Sequence, residues 1–124
     1  PERVPPLTDP VVRAECGSCH IAFQPGLLSA ASWKLVMAQL ADHFGEDASL
    51  PADQVAAIEA VLVGQAARAR KGEASPRITE QRWWKHEHDA RHVKPERWTA
   101  PDVLSKVNCG ACHPRAERGD YDDD

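Results

Sequence analysis

Two short stretches share one pattern: Cys16-Gly17-Ser18-Cys19-His20 near the start of the 124-residue chain and Cys109-Gly110-Ala111-Cys112-His113 near its end. Together they contain all four cysteines of the sequence. The spacing C-x-x-C-H is that of haem c attachment, in which the thiols bond to the porphyrin edge and the histidine binds the iron. The pattern predicts two covalent haem c groups, with thioethers and proximal iron ligands from Cys16, Cys19, His20, Cys109, Cys112 and His113.

Other uses of paired cysteines fit this sequence less well. A zinc site built from two C-x-x-C knuckles usually has them about 15–20 residues apart, whereas 89 residues lie between Cys19 and Cys109. A thioredoxin-like redox pair would follow a strand, and no strand is evident before either motif. Structural disulfides would not need a histidine after each pair. Because haem c is attached outside the bacterial cytoplasm, the motifs also indicate an exported, periplasmic protein.

Composition limits the class of protein further. A chain of this length forms one domain or two very small ones, and it needs a staple or a large apolar cofactor to complete its core. The net charge of −4 gives no sign of the clustered basic surface that binds nucleic acid. No apolar run approaches the roughly 18–20 residues of a membrane span. The opening residues 1–6 look like a mature or trimmed end without a signal peptide, and we expect a monomer.

Helical periodicity in the first half predicts three helices. A short helix beginning at Pro10, capped by Thr8 or Asp9, leads into the first motif. A longer helix over 30–44 follows its cap Ser29 and is ended by a glycine. A second amphipathic helix covers 52–69.

The second half predicts shorter helices and more irregular chain. Residues 68–76 form a linker. Beyond it Thr79 caps a helix that runs through His88, and Ser105 caps a short helix carrying the second motif. The chain is therefore predicted to be all-α, with an extension over 1–7, a first haem domain over 8–70 and a second over 71–124. The segment 119–124, which contains four aspartates, is predicted to be a frayed acidic tail.

Each iron needs a further axial ligand or leaves a position open. In the first half, His43 lies at the edge of an apolar helical stripe, and Met37 lies at its centre, where methionine is more often core filler. We favour His43 over Met37. In the second half, His88 lies four residues after Trp84 on the same helical face. Helical spacing alone leaves two further candidates open, His86 as the runner-up and His92.

The chain resembles the bacterial dihaem cytochrome c family, often called DHC, from about Val12 to Tyr121. The haem motifs are generic to c-type cytochromes. Arg77-Ile78-Thr79 and Ala116-Glu117-Arg118-Gly119 also match, and the much more specific signal is the combination of His43-Phe44-Gly45-Glu46-Asp47-Ala48 with Trp83-Trp84 and Glu87-His88.

The resemblance implies a two-part fold and a ligand set. The N-terminal part would be similar to a class I cytochrome c, and the C-terminal part, irregular and helical, would wrap the second haem. Both haems would have two histidine ligands, with His43 and His88 in the distal positions. His86 and His92 depart from the family pattern.

We therefore expect an electron carrier and not an enzyme, with two low-spin, low-potential haems that pass single electrons. The resemblance implies a small monohaem cytochrome as acceptor and a membrane cytochrome b as donor. A small dihaem peroxidase or nitrogen-oxide reductase would need an open distal position. In a gas sensor, the second alternative, His43 or His88 would leave the iron when the gas binds. The third alternative is that this chain is part of a larger redox complex.

Overall fold

The computed structural model describes residues 3–68 and 74–122. Within these residues, four α-helices are joined by turns and short 3-10 helices: α1 (Pro10–Cys16), α2 (Ala30–Ala38), α3 (Ala52–Gly64) and α4 (Arg82–Glu87). The same residues contain no strand, only isolated bridges. The predicted all-α class is confirmed.

Helix α1 begins where the sequence predicts, and Asp9 is the cap. Its carboxylate oxygen Oδ1 accepts hydrogen bonds from the backbone N–H groups of Val11 at 3.0 Å and Val12 at 3.1 Å. Pro10 has no N–H to satisfy and has the fixed φ that a first helical position needs. Val12 is 1% exposed, so this helix anchors the segment that leads into the first motif.

Helix α2 also begins as predicted, because the Ser29 hydroxyl accepts a hydrogen bond from Ser32 N at 3.2 Å. The predicted end at residue 44 is wrong, since the helix stops at Ala38. Ala48 N donates to Leu40 O at 2.7 Å, and the Asp42 carboxylate accepts from Gly45 N at 3.1 Å. These local bonds replace the continuing helical ladder.

Helix α3 is shorter than the predicted span 52–69. It ends at Gly64, and Ala67 N then donates to Leu28 O at 2.9 Å. After the helix ends, this hydrogen bond pairs the chain at Ala67 with the segment that precedes α2. Residues 69–73, within the predicted linker 68–76, lie outside the described residues.

The chain divides into two compact units, one of which spans Pro25–Ile78. In it, helices α2 and α3 pack against each other. The indole N–H of Trp33 donates to Pro25 O at 2.8 Å, and Ser75 N donates to the Ser32 hydroxyl at 3.1 Å. The buried apolar side chains of this unit are Leu27, Leu28, Trp33, Val36, Met37, Ile58, Leu62 and Ile78.

The other unit combines the segment up to Gln24 with the segment from Thr79 onward. Val4 N donates to Gly119 O at 2.9 Å, so the two segments are joined near their ends. Gly119 has φ 79°, and a Cβ there would lie 2.2 Å from Val4 O. The buried apolar side chains of this discontinuous unit are Leu7, Val12, Trp84, Val103 and Ala116.

Both cysteine motifs lie in this discontinuous unit. The packing units therefore have different bounds from the segments 8–70 and 71–124, to which the sequence assigns one haem each. That assignment of haems to segments stays a prediction.

Two predicted caps in the second half are wrong. Thr79 lies in a 3-10 turn, Ile78–Glu80, and α4 begins only at Arg82. The Ser105 hydroxyl accepts a hydrogen bond from Val107 N at 3.3 Å, which closes a local turn and does not start a helix. The second motif instead enters a 3-10 helix, Cys109–Ala111.

The prediction of a frayed tail is wrong for residues 119–122. Arg115 Nε lies 2.8 Å from the Asp120 carboxylate, and Arg3 Nε lies 3.8 Å from it. The Arg115 hydrogen bond, a backbone N–H from Asp122 and the nearby cations keep the pKa of Asp120 below its usual range. Residues 123 and 124 lie outside the described residues.

The cap of α1 gives a test of this local structure. We expect Asp9→Ala to lower the free energy of unfolding of the haem-loaded protein by about 1 kcal/mol, because two backbone N–H groups lose their acceptor. Thr8→Ala is the matched control and should change it by less than about 0.5 kcal/mol. Denaturant unfolding measures both, and equal losses would contradict the assignment of the cap to Asp9.

Candidate functional site

The first motif begins at the last residue of α1 and continues into a turn. Gly17 N donates to Arg13 O at 3.0 Å, and a Cβ on Gly17 would lie 2.5 Å from that oxygen. Only glycine therefore allows the chain to turn this closely against the helix. Cys16 is half-buried and Cys19 is exposed.

The second motif forms a tight turn of its own. His113 N donates to Cys109 O at 2.8 Å, and Cys112 N donates to the same oxygen at 3.2 Å. The Asn108 side-chain amide donates to Val103 O at 2.7 Å and anchors the turn to the preceding loop. One turn of chain thus brings the second cysteine and the histidine back toward the first cysteine.

Burial favours the neutral thiol at the first cysteine of each motif, Cys16 and Cys109. Burial raises the pKa of Cys16, and the Glu15 carboxylate adds to the shift. Burial also raises the pKa of Cys109 to about 11, with Cys112 acting in the same direction. Nucleophilic and redox-active cysteines have the opposite property, a lowered pKa. Within 3–68 and 74–122, no group of three or more histidine, cysteine or acidic side chains is placed to hold a metal ion.

His20, the last residue of the first motif, has a fixed ring. Its Nδ1 lies 2.7 Å from Ile21 O, and the ring stacks on Phe23 with centroids 5.0 Å apart. The ring also lines a cavity of about 170 Å³, together with Leu7, Arg13, Gly17, Ile21, Ala22 and Glu117.

His88 and His113 come together although 24 residues lie between them. Their ring centroids are 6.3 Å apart and their planes are inclined at 78°. His88 caps the C-terminus of α4, where its Nδ1 lies 2.7 Å from Trp84 O. Its ring stacks on that of Trp84, with centroids 4.2 Å apart and planes at 12°.

Two polar residues that contact each other near the second motif, Gln24 and Tyr121, had no signal in the sequence. Gln24 is fully buried, and its amide donates to Ala116 O at 2.7 Å while its Oε1 accepts from the Tyr121 hydroxyl at 2.5 Å. Burial raises the pKa of Tyr121, so the hydroxyl remains a donor. The Tyr121 ring meets that of His113 edge-on, with centroids 5.6 Å apart. No periodic pattern points to such a pair, because 96 residues lie between its members.

His86 and His92 lie on the exposed surface and face each other, with ring centroids 6.0 Å apart. Nδ1 of His92 lies 2.9 Å from the Asp89 carboxylate. Desolvation raises the pKa of Asp89, but hydrogen bonds from Arg91 and His92 outweigh it and lower this pKa to about 2.

His43 lies in a tight turn of the Pro25–Ile78 unit. His43 N donates to Glu46 O at 2.7 Å, and Glu46 N donates back to His43 O at 3.2 Å. The two central residues, Phe44 and Gly45, both have positive φ, 54° and 93°. The Arg77 guanidinium lies 4.2 Å above the Phe44 ring. Met37, the alternative ligand, is buried in α2 at 6% exposure.

The residues of each motif suit a c-type haem. All four cysteines are free of disulfides, which leaves two thiols per motif for thioether bonds, and each motif ends in an imidazole. An all-helical chain with two such motifs defines a c-type cytochrome with two covalent haems. The model of the dihaem cytochrome c family, DHC, matches residues 12–121, and the chain belongs to that family.

Solved structures of dihaem cytochromes are similar over nearly the whole chain. DHC purified from Rhodobacter sphaeroides is 44% identical, with a TM-score of 0.81, over 92% of this chain and 97% of that one. A second structure, a dihaem cytochrome c from the same organism, is 39% identical, with a TM-score of 0.84, over 94% and 98% of the two chains. The dihaem cytochrome from Shewanella baltica OS155 is 39% identical, with a TM-score of 0.78, over 91% and 86%. No curated protein matches.

Family membership confirms the predicted cofactors, two covalently attached c-type haems, and the predicted class of function, a haem-binding electron carrier. It also makes redox proteins the partners of the chain. No helix among the described residues has the length and apolar character to cross a bilayer.

The motif residues give a direct test of covalent attachment. We expect the double variant Cys109→Ser, Cys112→Ser to carry one covalent haem in place of two, because a hydroxyl does not replace the thiol in the thioether bond. The intact mass should fall by about one haem, and the pyridine haemochrome absorbance per chain should halve. The matched variant Cys16→Ser, Cys19→Ser should give the same loss, and two covalent haems in either variant would contradict the assignment.

Proposed function

We propose that this chain is a periplasmic carrier of single electrons in which two imidazoles hold each haem iron. His113 and His88 are the ligands of the second haem, which is attached at Cys109 and Cys112. His20 and His43 are the ligands of the first haem, attached at Cys16 and Cys19. The observation that carries the proposal is the position of the His88 ring beside that of His113.

The separation of these two rings suits a shared metal ion. With metal–nitrogen bonds of about 2 Å to imidazole, two rings on opposite sides of one metal have centroids roughly 6 Å apart. The rings of His88 and His113 are 6.3 Å apart. His86 and His92 pair with each other at the surface, so His88 is the best candidate among the three histidines that spacing left open.

The hydrogen bonds of the ligands support the same chemistry. A carbonyl oxygen only accepts, so Nδ1 of His88 carries the proton that it shares with Trp84 O, and Nε2 holds the lone pair for a metal. Nδ1 of His20 has the same relation to Ile21 O. Bonds of this kind fix the tautomer and make the imidazole a stronger ligand.

The proposal that His43 is the distal ligand of the first haem has different evidence behind it. It matches the distal ligand of the family within the stretch His43–Ala48, and the turn 43–46 fixes its backbone through two hydrogen bonds. Met37, the other candidate, is enclosed among the apolar side chains of α2 and its unit. A histidine ligand gives a lower potential than a methionine ligand, so this choice bears directly on the potential of the first haem.

Two imidazoles per iron determine what the site does. The bound haem supplies the one-electron Fe(III)/Fe(II) couple. His20 and His43 would hold one iron, and His88 and His113 would hold the other, which would leave no position for dioxygen or peroxide. We therefore propose low-spin, low-potential haems and no enzymatic activity, because an oxidase or peroxidase site needs an open or weakly held distal position.

Location and partners complete the proposal. Haem c is attached outside the cytoplasm in bacteria, which supports the periplasm. We propose that a membrane cytochrome b supplies electrons and that a small monohaem cytochrome accepts them, as the family resemblance implies. We further propose that residues 8–70 and 71–124 carry one haem each and that the chain works as a monomer.

Removal of the distal imidazole tests the ligand set. We expect His88→Ala to convert one of the two ferric haems to high spin and to let that haem bind carbon monoxide rapidly when reduced, because an axial position opens. His86→Ala, two residues away on the surface, is the matched control and should leave both haems low-spin. Added imidazole should restore the low-spin spectrum of His88→Ala. Rapid carbon monoxide binding by the unaltered protein would contradict the proposal.

A further inference from the structure

We propose that Trp84 and Trp98 are positioning residues that hold the imidazole plane of His88 nearly perpendicular to that of His113. This crossing of the planes would give the second haem a strongly anisotropic low-spin ferric state. The inference rests on the proposed function, in which these two histidines bind one iron.

Trp84 fixes the His88 ring in two independent ways. Its carbonyl oxygen accepts the Nδ1 proton at 2.7 Å, which by itself leaves the ring able to rotate about the N–H···O axis. Its indole stacks on the imidazole at 4.2 Å and 12°, which by itself leaves the ring able to slide in its own plane. Together, the two contacts remove both freedoms. Trp84 is 8% exposed, so its own ring is held by packing.

Trp98 supports this arrangement from a second direction. Its ring lies 5.7 Å from that of Trp84 and 6.2 Å from that of His88, tilted to both. The Lys106 ammonium lies 5.9 Å from the Trp84 ring and 5.6 Å from the Trp98 ring. A cation at this distance is attracted to the face of an indole. Trp84, Trp98 and Lys106 form a cluster against His88, the proposed distal ligand of the second haem. We call this cluster the indole clamp.

The angle between the ligand planes has an electronic consequence. An imidazole donates π density into the iron d orbital that is perpendicular to its ring plane. Parallel rings raise one d orbital of the pair above the other and quench the orbital moment. Rings crossed at 78° act on both orbitals nearly equally, so the pair stays close in energy and the orbital moment is retained. The low-field feature of the ferric signal then moves to larger g.

Electron paramagnetic resonance of the ferric dihaem protein at low temperature tests the inference. We expect the haem at Cys109 and Cys112 to give a low-spin signal with its low-field feature at larger g than the rhombic signal of parallel imidazoles. This is the low-spin signal that should persist in His43→Ala, where the other haem loses its distal ligand.

Variants of the indole clamp separate positioning from packing. Trp84→Leu removes the stacked ring but keeps the carbonyl, and we expect the anisotropic signal to shift to lower g or to broaden. Trp84→Phe retains an aromatic face and should restore most of the wild-type signal. Since Trp84 is buried and its variants could fail to fold, Trp98→Leu provides a second test with a half-buried residue, and it should shift the same signal. Trp83→Leu, the neighbouring indole of α4, is the matched control and should leave it unchanged.

The outcomes separate this inference from the proposed function. A rhombic low-spin signal from the second haem of the wild-type protein would overturn the inference and leave the two-histidine ligation intact. A wild-type signal unchanged in Trp84→Leu and in Trp98→Leu would overturn the role of the indole clamp. A high-spin signal from the second haem of the wild-type protein would overturn the proposed function itself, and the inference with it.

Discussion

Two imidazoles on opposite sides of one metal ion have ring centroids roughly 6 Å apart, and the discontinuous unit contains one pair of rings, His88 and His113, at 6.3 Å. His88 comes from the end of α4, and His113 comes from the turn that follows two cysteines. Their relative position depends on the loop between them, on the Asn108 contact with Val103 and on the stack of His88 on Trp84. In the proposed site, a haem tethered at Cys109 and Cys112 would have this pair of rings as its iron ligands, so covalent attachment and iron ligation would depend on the same few contacts.

The protein supports these sites with little regular structure. The described residues contain short helices, and much of the second half is turns. Polar contacts between distant segments fix positions of the chain that a larger apolar core would otherwise fix. Gln24 joins Ala116 and Tyr121 in a fully buried position, and a buried amide of this kind is stable only because its donor and acceptor are satisfied.

Backbone strain lies close to the proposed ligands. Among the described residues, Phe44 and Leu104 are the non-glycine residues with positive φ, at 54° and 69°. Such conformations cost of order 1–3 kcal/mol and persist only where the surroundings impose them. Phe44 directly follows His43, and Leu104 lies in the loop that leads to Cys109. At both positions the chain turns sharply, next to a proposed iron ligand in the first case and before the second cysteine motif in the other.

The sequence predicted those features that depend on neighbouring residues. The two covalent haems, the cap at Ser29 and the start of α1 were predicted from residues a few positions apart, and all three predictions were correct. The ends of α2 and α3 were predicted too late, because the apolar stripe continues beyond the point where Ala48 and Ala67 make their backbone bonds. Apolar periodicity carries no information about those bonds.

Longer-range features could not be predicted in this way. Helical spacing left His86, His88 and His92 open, because the choice depends on His113, which lies in a distant segment. Gln24 and Tyr121 were missed for the same reason, since each is defined by the other. The family resemblance selected His88 where spacing could not, and the ring geometry gives an independent reason for that choice.

The central claim is that two imidazoles bind each of two irons. Near-infrared magnetic circular dichroism of the ferric protein tests it most directly, because the energy of the low-spin charge-transfer band depends on the pair of axial ligands. We expect a single class of band, at the energy of imidazole–imidazole ligation and with the intensity of two haems per chain. A band at the energy of histidine–methionine ligation, or a high-spin band from either haem, would contradict it.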